Sequence, residues 1–306
     1  MTKIPFIHTY DFEYGIAEPQ SRLVSRITAD NPGPFTYTGT GVYIVGTKDV
    51  AIIDPGPITP AHTKALDQAL AGKTLTHILL THHHADHSPM AAPLAKKHDC
   101  QIYGCPPRDE ATTNGAGIKL DAGDDLGFAP DIVLKDGDVF TGADWTLETV
   151  HTPGHTSNHM CFALRQENTL FSGDHIMGWA TSVVIPPGGH MGDYLASLRK
   201  IERQNYDIIR PTHGPAITHV QPFVSAYIEH RLDREEQVFQ ALEVGHKAVM
   251  DIVAHIYTDI DKRLYPAAAM SVLSHLIHLC ENGRAECAGN MNLAGHYAPY
   301  SLHPNF

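Results

Sequence analysis

The sequence predicts an α/β protein, with a four-layer α/β/β/α sandwich over residues 1–220 and a small helical domain over 221–306. Three observations predict it. Short β-branched runs fall into two groups on either side of a Gly- and Asp-rich stretch at 106–130. Helical periods accompany both groups, so each sheet has elements to cover its outer face. From Gln221 onward the β runs give way to long helical patterns.

In the first group, residues 41–47 and 50–55 form a hairpin around Lys48-Asp49 and end in the turn Asp54-Pro55-Gly56. They are the two strands expected before the first helix. That helix covers 60–71, with Pro60 tolerated in its first turn because the N–H it lacks has no partner there. A buried strand at 77–80 follows. Residues 88–98 then read as helix and 101–104 as a short strand. The stretch 106–130 has no period and reads as a surface loop or short helix with irregular flanks. The second group has strands at 132–134, 145–150, 159–164 and 169–172, then a helix at 193–204 and a strand at 208–210. Helices are expected at 223–244, 246–256 and 266–280, with no strand after Val220.

Composition excludes several classes of protein. A chain of 306 residues, 42% of them hydrophobic, buries a full core and is not globally disordered. It contains no uninterrupted apolar run near the roughly 18 residues that a membrane span requires. Its start, MTKIPFIHTYDFEYG, lacks a basic segment followed by an apolar one, so a cytoplasmic protein is expected. Its five cysteines show no C-x-x-C spacing, which argues against both a disulfide framework and a cysteine zinc knuckle. The formal charge of −12 disfavours broad attraction to phosphate backbones. The anomaly is the 22 histidines, because histidine is the commonest side-chain metal ligand.

Their positions are informative. In His82-His83-His84-Ala85-Asp86-His87, His82 and His84 are two residues apart on extended chain and project to one side, so they can chelate one ion. Asp86 and His87, where the chain turns toward helix, can reach a second ion. Taken alone, such a run is also compatible with a solvated loop. Three further motifs weigh against that reading. Thr152-Pro153-Gly154-His155-Thr156, Ser172-Gly173-Asp174 and Thr212-His213-Gly214 each put one ligand-type residue at the end of an expected strand. Any one of them would more often be a structural turn.

Together, in this order, the motifs resemble those of the metallo-β-lactamase superfamily, T-H-x-H-x-D-H, then G-H-T, G-D and H-G, over about residues 20–220. The resemblance implies that His82, His84 and His155 bind one zinc, that Asp86, His87 and His213 bind the other, and that Asp174 bridges them, with Mn2+ or Fe2+ as alternatives. It also implies that Asp54 orients a ligand, while His83, His151 and His159 support the site without ligating. Two divalent ions about 3.5–4 Å apart lower the pKa of a bridging water toward neutrality, which gives a hydroxide nucleophile. Asp86, which can hold that water, and His213 are the catalytic candidates.

The Asp at 174 and the absence of a visible export signal point to the glyoxalase II and ribonuclease Z branch. The run 211–217 with Tyr227-Ile228-Glu229-His230-Arg231 and Arg234-Glu235-Glu236-Gln237 resembles the lactamase-beta-like protein 2 family, whose members end in a winged-helix-like domain. That extends the resemblance to about residue 287. The expected reaction is hydrolysis of a small-molecule ester, thioester or lactam, with cleavage of single-stranded nucleic acid as the alternative. From Val220 to Phe306 there are six Lys plus Arg against ten Asp plus Glu, so the C-terminal domain is acidic and better suited to covering the site or to homodimer contacts. The apolar segment 177–187 is a candidate pocket wall or a loop buried under the C-terminal domain, and His190 and Tyr194 are candidate substrate contacts.

Overall fold

The computed structural model describes residues 2–108 and 123–300. Its first sheet has seven strands in chain order: β1 (Ala17–Pro19), β2 (Val24–Thr28), β3 (Gly41–Val45), β4 (Asp49–Ile53), β5 (Thr74–Leu79), β6 (Gln101–Gly104) and β7 (Ile132–Val133). Strands β1 to β4 pair antiparallel, and β4 to β7 pair parallel. The parallel crossovers carry helices α1 (Pro60–Leu70) and α2 (Ala91–His98). The second sheet comprises β8 (Val139–Thr141), β9 (Thr146–His151), β10 (Met160–Leu164), β11 (Thr169–Gly173) and β12 (Ile208–Pro211), in the order β12-β11-β10-β9-β8. Helix α3 (Met191–Gln204) crosses from β11 to the parallel β12.

The layering follows from strands that are apolar on both faces. Along β4, Val50 and Ile52 point to the α1/α2 side, while Ala51 and Ile53 point to the other sheet. Along β10, Cys161 and Ala163 face α3, while Met160, Phe162 and Leu164 meet the first sheet. One apolar layer therefore lies between the sheets, and each outer face is closed by helices. This is the α/β/β/α order that the sequence predicts.

Helix α4 (Val220–Glu243) belongs to two cores. Its first half, through Phe223, Val224 and Tyr227, packs beside α3, and its second half, through Val238, Ala241 and Leu242, joins a separate apolar cluster. That cluster includes α5 (Val249–Ile256), α6 (Tyr265–Glu281) and a hairpin of β13 (Ala285–Ala288) and β14 (His296–Pro299).

The hairpin corrects the expectation of a strand-free C-terminal part. Its four-residue strands lack a β-branched alternation, and only Ala285 and Tyr297 are buried in it. It forms because Tyr297 fills the helical core. The N-terminal strands β1 and β2 and the short edge strand β8 were likewise not expected. The helices α2, α3 and α5 begin at Ala91, Met191 and Val249, against the expected 88, 193 and 246. Residues 109–122 of the expected loop at 106–130 lie outside the described residues. Among the described residues no helix is long and apolar enough to cross a membrane.

Candidate metal centre

All the motif residues lie at or just beyond the C-terminal ends of strands, at one edge of the sandwich. Asp54 follows β4, residues 82–87 follow β5, His155 follows β9, Asp174 follows β11 and His213 follows β12. Two glycines make the close approach possible. Gly154, at φ +141°, lies so near α3 that a Cβ would meet the Tyr194 backbone at 2.3 Å. Gly173, at φ +52°, leaves room for His159 Nε2, which a Cβ would meet at 2.6 Å.

The side chains form two adjoining groups. His82 Nε2 lies 3.0 Å from His84 Nδ1, which lies 3.3 Å from His155 Nε2. These spacings match the edge of about 3.3 Å for nitrogen donors around a tetrahedral ion with metal–N bonds of 2.0–2.1 Å. In the second group, His213 Nε2 lies 3.0 Å and His87 Nε2 3.5 Å from Asp86 Oδ2. Asp174 sits between the groups, with Oδ2 3.6 Å from His87 Nε2 and 4.0 Å from His155 Nε2, and Oδ1 3.4 Å from His213 Nε2. His82, His84 and His155, and likewise Asp86, His87 and His213, can each converge on one ion, and Asp174 can join His82 and His87.

The rings of His82, His87, His155 and His213 are each oriented from behind by a hydrogen bond at the far nitrogen. His82 Nδ1–H donates to Thr81 Oγ1 (2.9 Å), His87 Nδ1–H to Asp54 Oδ2 (2.9 Å), His155 Nδ1–H to the Val183 carbonyl (2.6 Å) and His213 Nδ1–H to the Gly39 carbonyl (3.2 Å). Each of these four thereby points its Nε2 at the centre. Asp54 is fully buried and also accepts from the Thr81 N–H (2.8 Å), the Thr81 hydroxyl (2.7 Å) and the Thr212 hydroxyl (3.2 Å). It thus holds His87 directly and His82 through Thr81. Asp174 is fixed by its own backbone N–H, which donates to His159 Nε2 at 3.2 Å, while His159 Nδ1–H donates to Thr152 Oγ1 at 2.9 Å.

The electrostatics leave the donor set unbalanced. Burial pushes the Asp174 carboxyl up, but His213 and His87 outweigh it and hold the group well below the usual carboxylate range. Asp86 is drawn in the same way to about 2. Burial keeps His82 and His84 neutral, with each disfavoured further by its imidazole neighbours. His87 Nε2, Asp86 Oδ1 and Asp174 Oδ1 are buried without a hydrogen-bond partner. Buried polar atoms without partners are costly unless a cation completes them. The residues present therefore fit one or two divalent ions.

The support positions are as follows. His83 points away from both groups, with Nε2 2.9 Å from Asp124 Oδ1 and Nδ1 3.0 Å from Asn158 Oδ1. The apolar segment at 177–187 meets both of its readings. Met177, Trp179, Ala180, Thr181 and Val183 line a cavity of about 170 Å3 with Pro34, Phe35 and the ligand-type residues His84, Asp86, His155 and Asp174. From behind, the Tyr227 hydroxyl holds the Met177 carbonyl at 2.8 Å, and Arg231 donates to the Ser182 carbonyl.

His190 and Tyr194 do not line that cavity. The His190 ring caps α3 by accepting the Asp193 N–H and pairs with Glu281 of α6 at 2.9 Å, and the fully buried Tyr194 donates to the His175 carbonyl at 2.7 Å. Sequence reasoning missed Thr81, Thr212 and the Tyr37 ring that stacks on Trp179 with centroids 4.6 Å apart. The Thr-His dipeptides at 81–82 and 212–213 were a readable signal for the two threonines.

A family model described as the metallo-beta-lactamase superfamily matches residues 37–213, more than half of the chain. The chain belongs to that superfamily. A second model, the beta-lactamase associated winged helix domain, matches residues 248–290, which places α5, α6 and β13 in a winged-helix domain. The chain is 32% identical over 278 residues to a beta-lactamase-like protein 2 homolog of Caenorhabditis elegans, covering 88% of each. It is also 32% identical over 229 residues to an atrochrysone carboxyl ACP thioesterase of a Cryptosporiopsis strain, covering 74% of this chain but only 65% of that protein. In fold it is similar to a beta-lactamase domain protein from Burkholderia ambifaria, with a TM-score of 0.77 at 20% identity over 97% of this chain and 96% of that one. A metallo-beta-lactamase family protein of Thermus thermophilus gives a TM-score of 0.71 at 21% identity over 90% and 98%. The chain is therefore a metallo-beta-lactamase family hydrolase, with His and Asp clusters that could hold a metal.

Proposed function

We propose that the chain is a dinuclear zinc hydrolase that cleaves thioesters of small acyl groups, with residues 1–220 as its catalytic unit. The observation that carries the metal part is the grouping of His82, His84 and His155, of Asp86, His87 and His213, and of Asp174 with His82 and His87, with His87 Nε2, Asp86 Oδ1 and Asp174 Oδ1 buried without hydrogen-bond partners. His82, His84 and His155 would hold one ion, and Asp86, His87 and His213 the other, with Asp174 shared. When bound, such ions supply Lewis acidity and bring the pKa of water close to neutrality.

The chain's own residues do the rest. Asp86, whose Oδ2 lies beside His213 Nε2 and His87 Nε2, is placed to accept a proton from the attacking water. The back-bonds of Thr81, Asp54, Val183 and Gly39 keep each imidazole aimed, so no reorientation is needed during turnover. Phe35, Met177, Trp179 and Val183 wall the cavity beside the centre with apolar surface, which excludes water and suits an acyl group. Thioester is preferred among the candidate bonds because several similar proteins carry the name of a carrier-protein thioesterase.

The test is a panel of thioester, lactone, β-lactam, bis-p-nitrophenyl phosphate and short RNA presented to the zinc-loaded protein, with metal content measured in parallel. Turnover of the thioester ahead of the others, at about two metal equivalents per chain, is expected. Preferential cleavage of RNA or the phosphodiester overturns the proposal.

A further inference from the structure

Two cavities meet at the same two ligand-type side chains. Besides the 170 Å3 pocket, a larger groove of about 510 Å3 opens on the other side of His84 and His155, and Val183 belongs to the walls of both. A substrate centred at these residues has two exits with different chemistry. The smaller pocket has no Lys or Arg among its described lining residues, and its wall residue Trp179 is stacked on Tyr37, with the rings 10° from parallel. The larger is within the range of about 300–1,000 Å3 that takes an extended small-molecule ligand. Its walls mix Phe128, Ile185 and Pro187 with Thr156, Ser157 and Asp124, and Arg108 is the one Lys or Arg among the described lining residues. The Arg108 side chain is 64% exposed and reaches Asp193 only at 3.9 Å.

We propose that a thioester lies across the His84–His155 edge, with its acyl group in the Trp179 pocket and a pantetheine-type thiol arm in the Arg108 groove. This rests on the thioester reading. The direction follows from desolvation. A pantetheine arm carries two amides and hydroxyls, which would lose water without partners between Phe35, Met177 and Trp179, whereas the groove supplies hydroxyls and an open side. The arm is uncharged along its length and ends in a phosphate. One exposed guanidinium at the groove, in a chain of net charge −12, suits one such phosphate and does not suit a polyanion. The small pocket limits the acyl group to a short chain or a single ring.

The test uses the zinc-loaded full chain and butanoyl thioesters of ethanethiol, pantetheine, coenzyme A and a phosphopantetheinylated carrier protein, read by thiol release. Ser157→Phe, which narrows the groove, is expected to raise KM for the three pantetheine-containing substrates about tenfold and for the ethyl thioester less than about twofold. Arg108→Ala should raise KM about fivefold only where the arm carries a phosphate. Ala180→Leu should shift acyl preference toward shorter chains equally on every thiol.

A measurement without variants guards against misfolding: free pantetheine should inhibit the wild-type protein at about one-tenth the concentration of ethanethiol. Preference for the coenzyme A or the carrier-protein thioester assigns the source of the arm, and either supports the proposal. Equal inhibition by both thiols, or a Ser157→Phe effect that ignores the thiol, overturns the subsite assignment and leaves thioester hydrolysis standing. Failure to hydrolyse any of the four substrates overturns both readings.

Discussion

Asp54→Asn should separate metal affinity from folding. The native carboxylate accepts four hydrogen bonds, from the Thr81 N–H, the two hydroxyls of Thr81 and Thr212, and His87 Nδ1–H. An amide of the same shape keeps one acceptor oxygen. Hydroxyls can rotate and accept from the new NH2 group, but the two N–H donors cannot. If the oxygen stays on the rigid Thr81 backbone at 2.8 Å, the NH2 faces His87 Nδ1, and the imidazole must move its proton to Nε2. That proton then points where a second ion would bind.

Loss of an orienting partner of this kind costs about 10–100-fold in metal affinity. Loss of one charge-assisted hydrogen bond costs about 1.5–3 kcal/mol in stability. Competition with a chromogenic chelator should resolve two dissociation steps in the wild-type protein if the proposed pair of ions is bound. In the variant the weaker step should shift by that factor, with a smaller shift in the other step, which Asp54 reaches only through Thr81 and His82. Urea unfolding measures the stability loss separately. Two dissociation steps within about twofold of wild type would refute the reasoning, as would a loss confined to the His82, His84 and His155 group.

Three further outcomes are expected. His84→Ala should lose about one metal equivalent while His83→Ala keeps both by elemental analysis, because the His83 ring is turned to Asp124 and Asn158; the reverse result would place the register one residue off. Trp179→Ala should raise KM for the preferred small substrate about fivefold or more and lower stability by about 1–3 kcal/mol, since it opens the pocket and removes the Tyr37 stack; unchanged KM would remove Trp179 from the substrate wall. Stability should fall on acidification below about pH 6.5. Burial pushes His175 down to about 3 and also lowers His275, so between those values and the unfolded pKa the unfolded chain binds more protons. The stabilisation is then full above the unfolded pKa and is lost as pH falls, by about 1.4 kcal/mol per pH unit for each such histidine. Urea midpoints of the zinc-loaded protein at pH 7 and pH 5 test it, and equal midpoints would contradict it.

The layer order and the motif residues were legible in the sequence because both are local. Strands buried on two faces read as short, mostly apolar runs, so β4, β5, β10 and β11 announced themselves. A ligand at a strand end carries its own signature in a neighbouring glycine or threonine, as in Pro153-Gly154-His155 and Ser172-Gly173-Asp174. Alternation along extended chain separated His83 from His82 and His84 before any coordinates.

What the tertiary structure decided are relations between residues far apart in the chain, which no local period records. Asp54 reaches His87 and Thr212 because parallel pairing of β4 with β5 and of β11 with β12 brings those strand ends to one edge. His190 looked like a substrate contact from its place after Asp174, but the packing of α3 against α6 turns it to Glu281. The hairpin β13–β14 is stabilised by one tyrosine inserted into a helical core and leaves no alternating pattern to read. The division into an apolar pocket and a polar groove on either side of His84 and His155 exists only because segments far apart in the chain close over the same edge, and a linear sequence carries no measure of that distance.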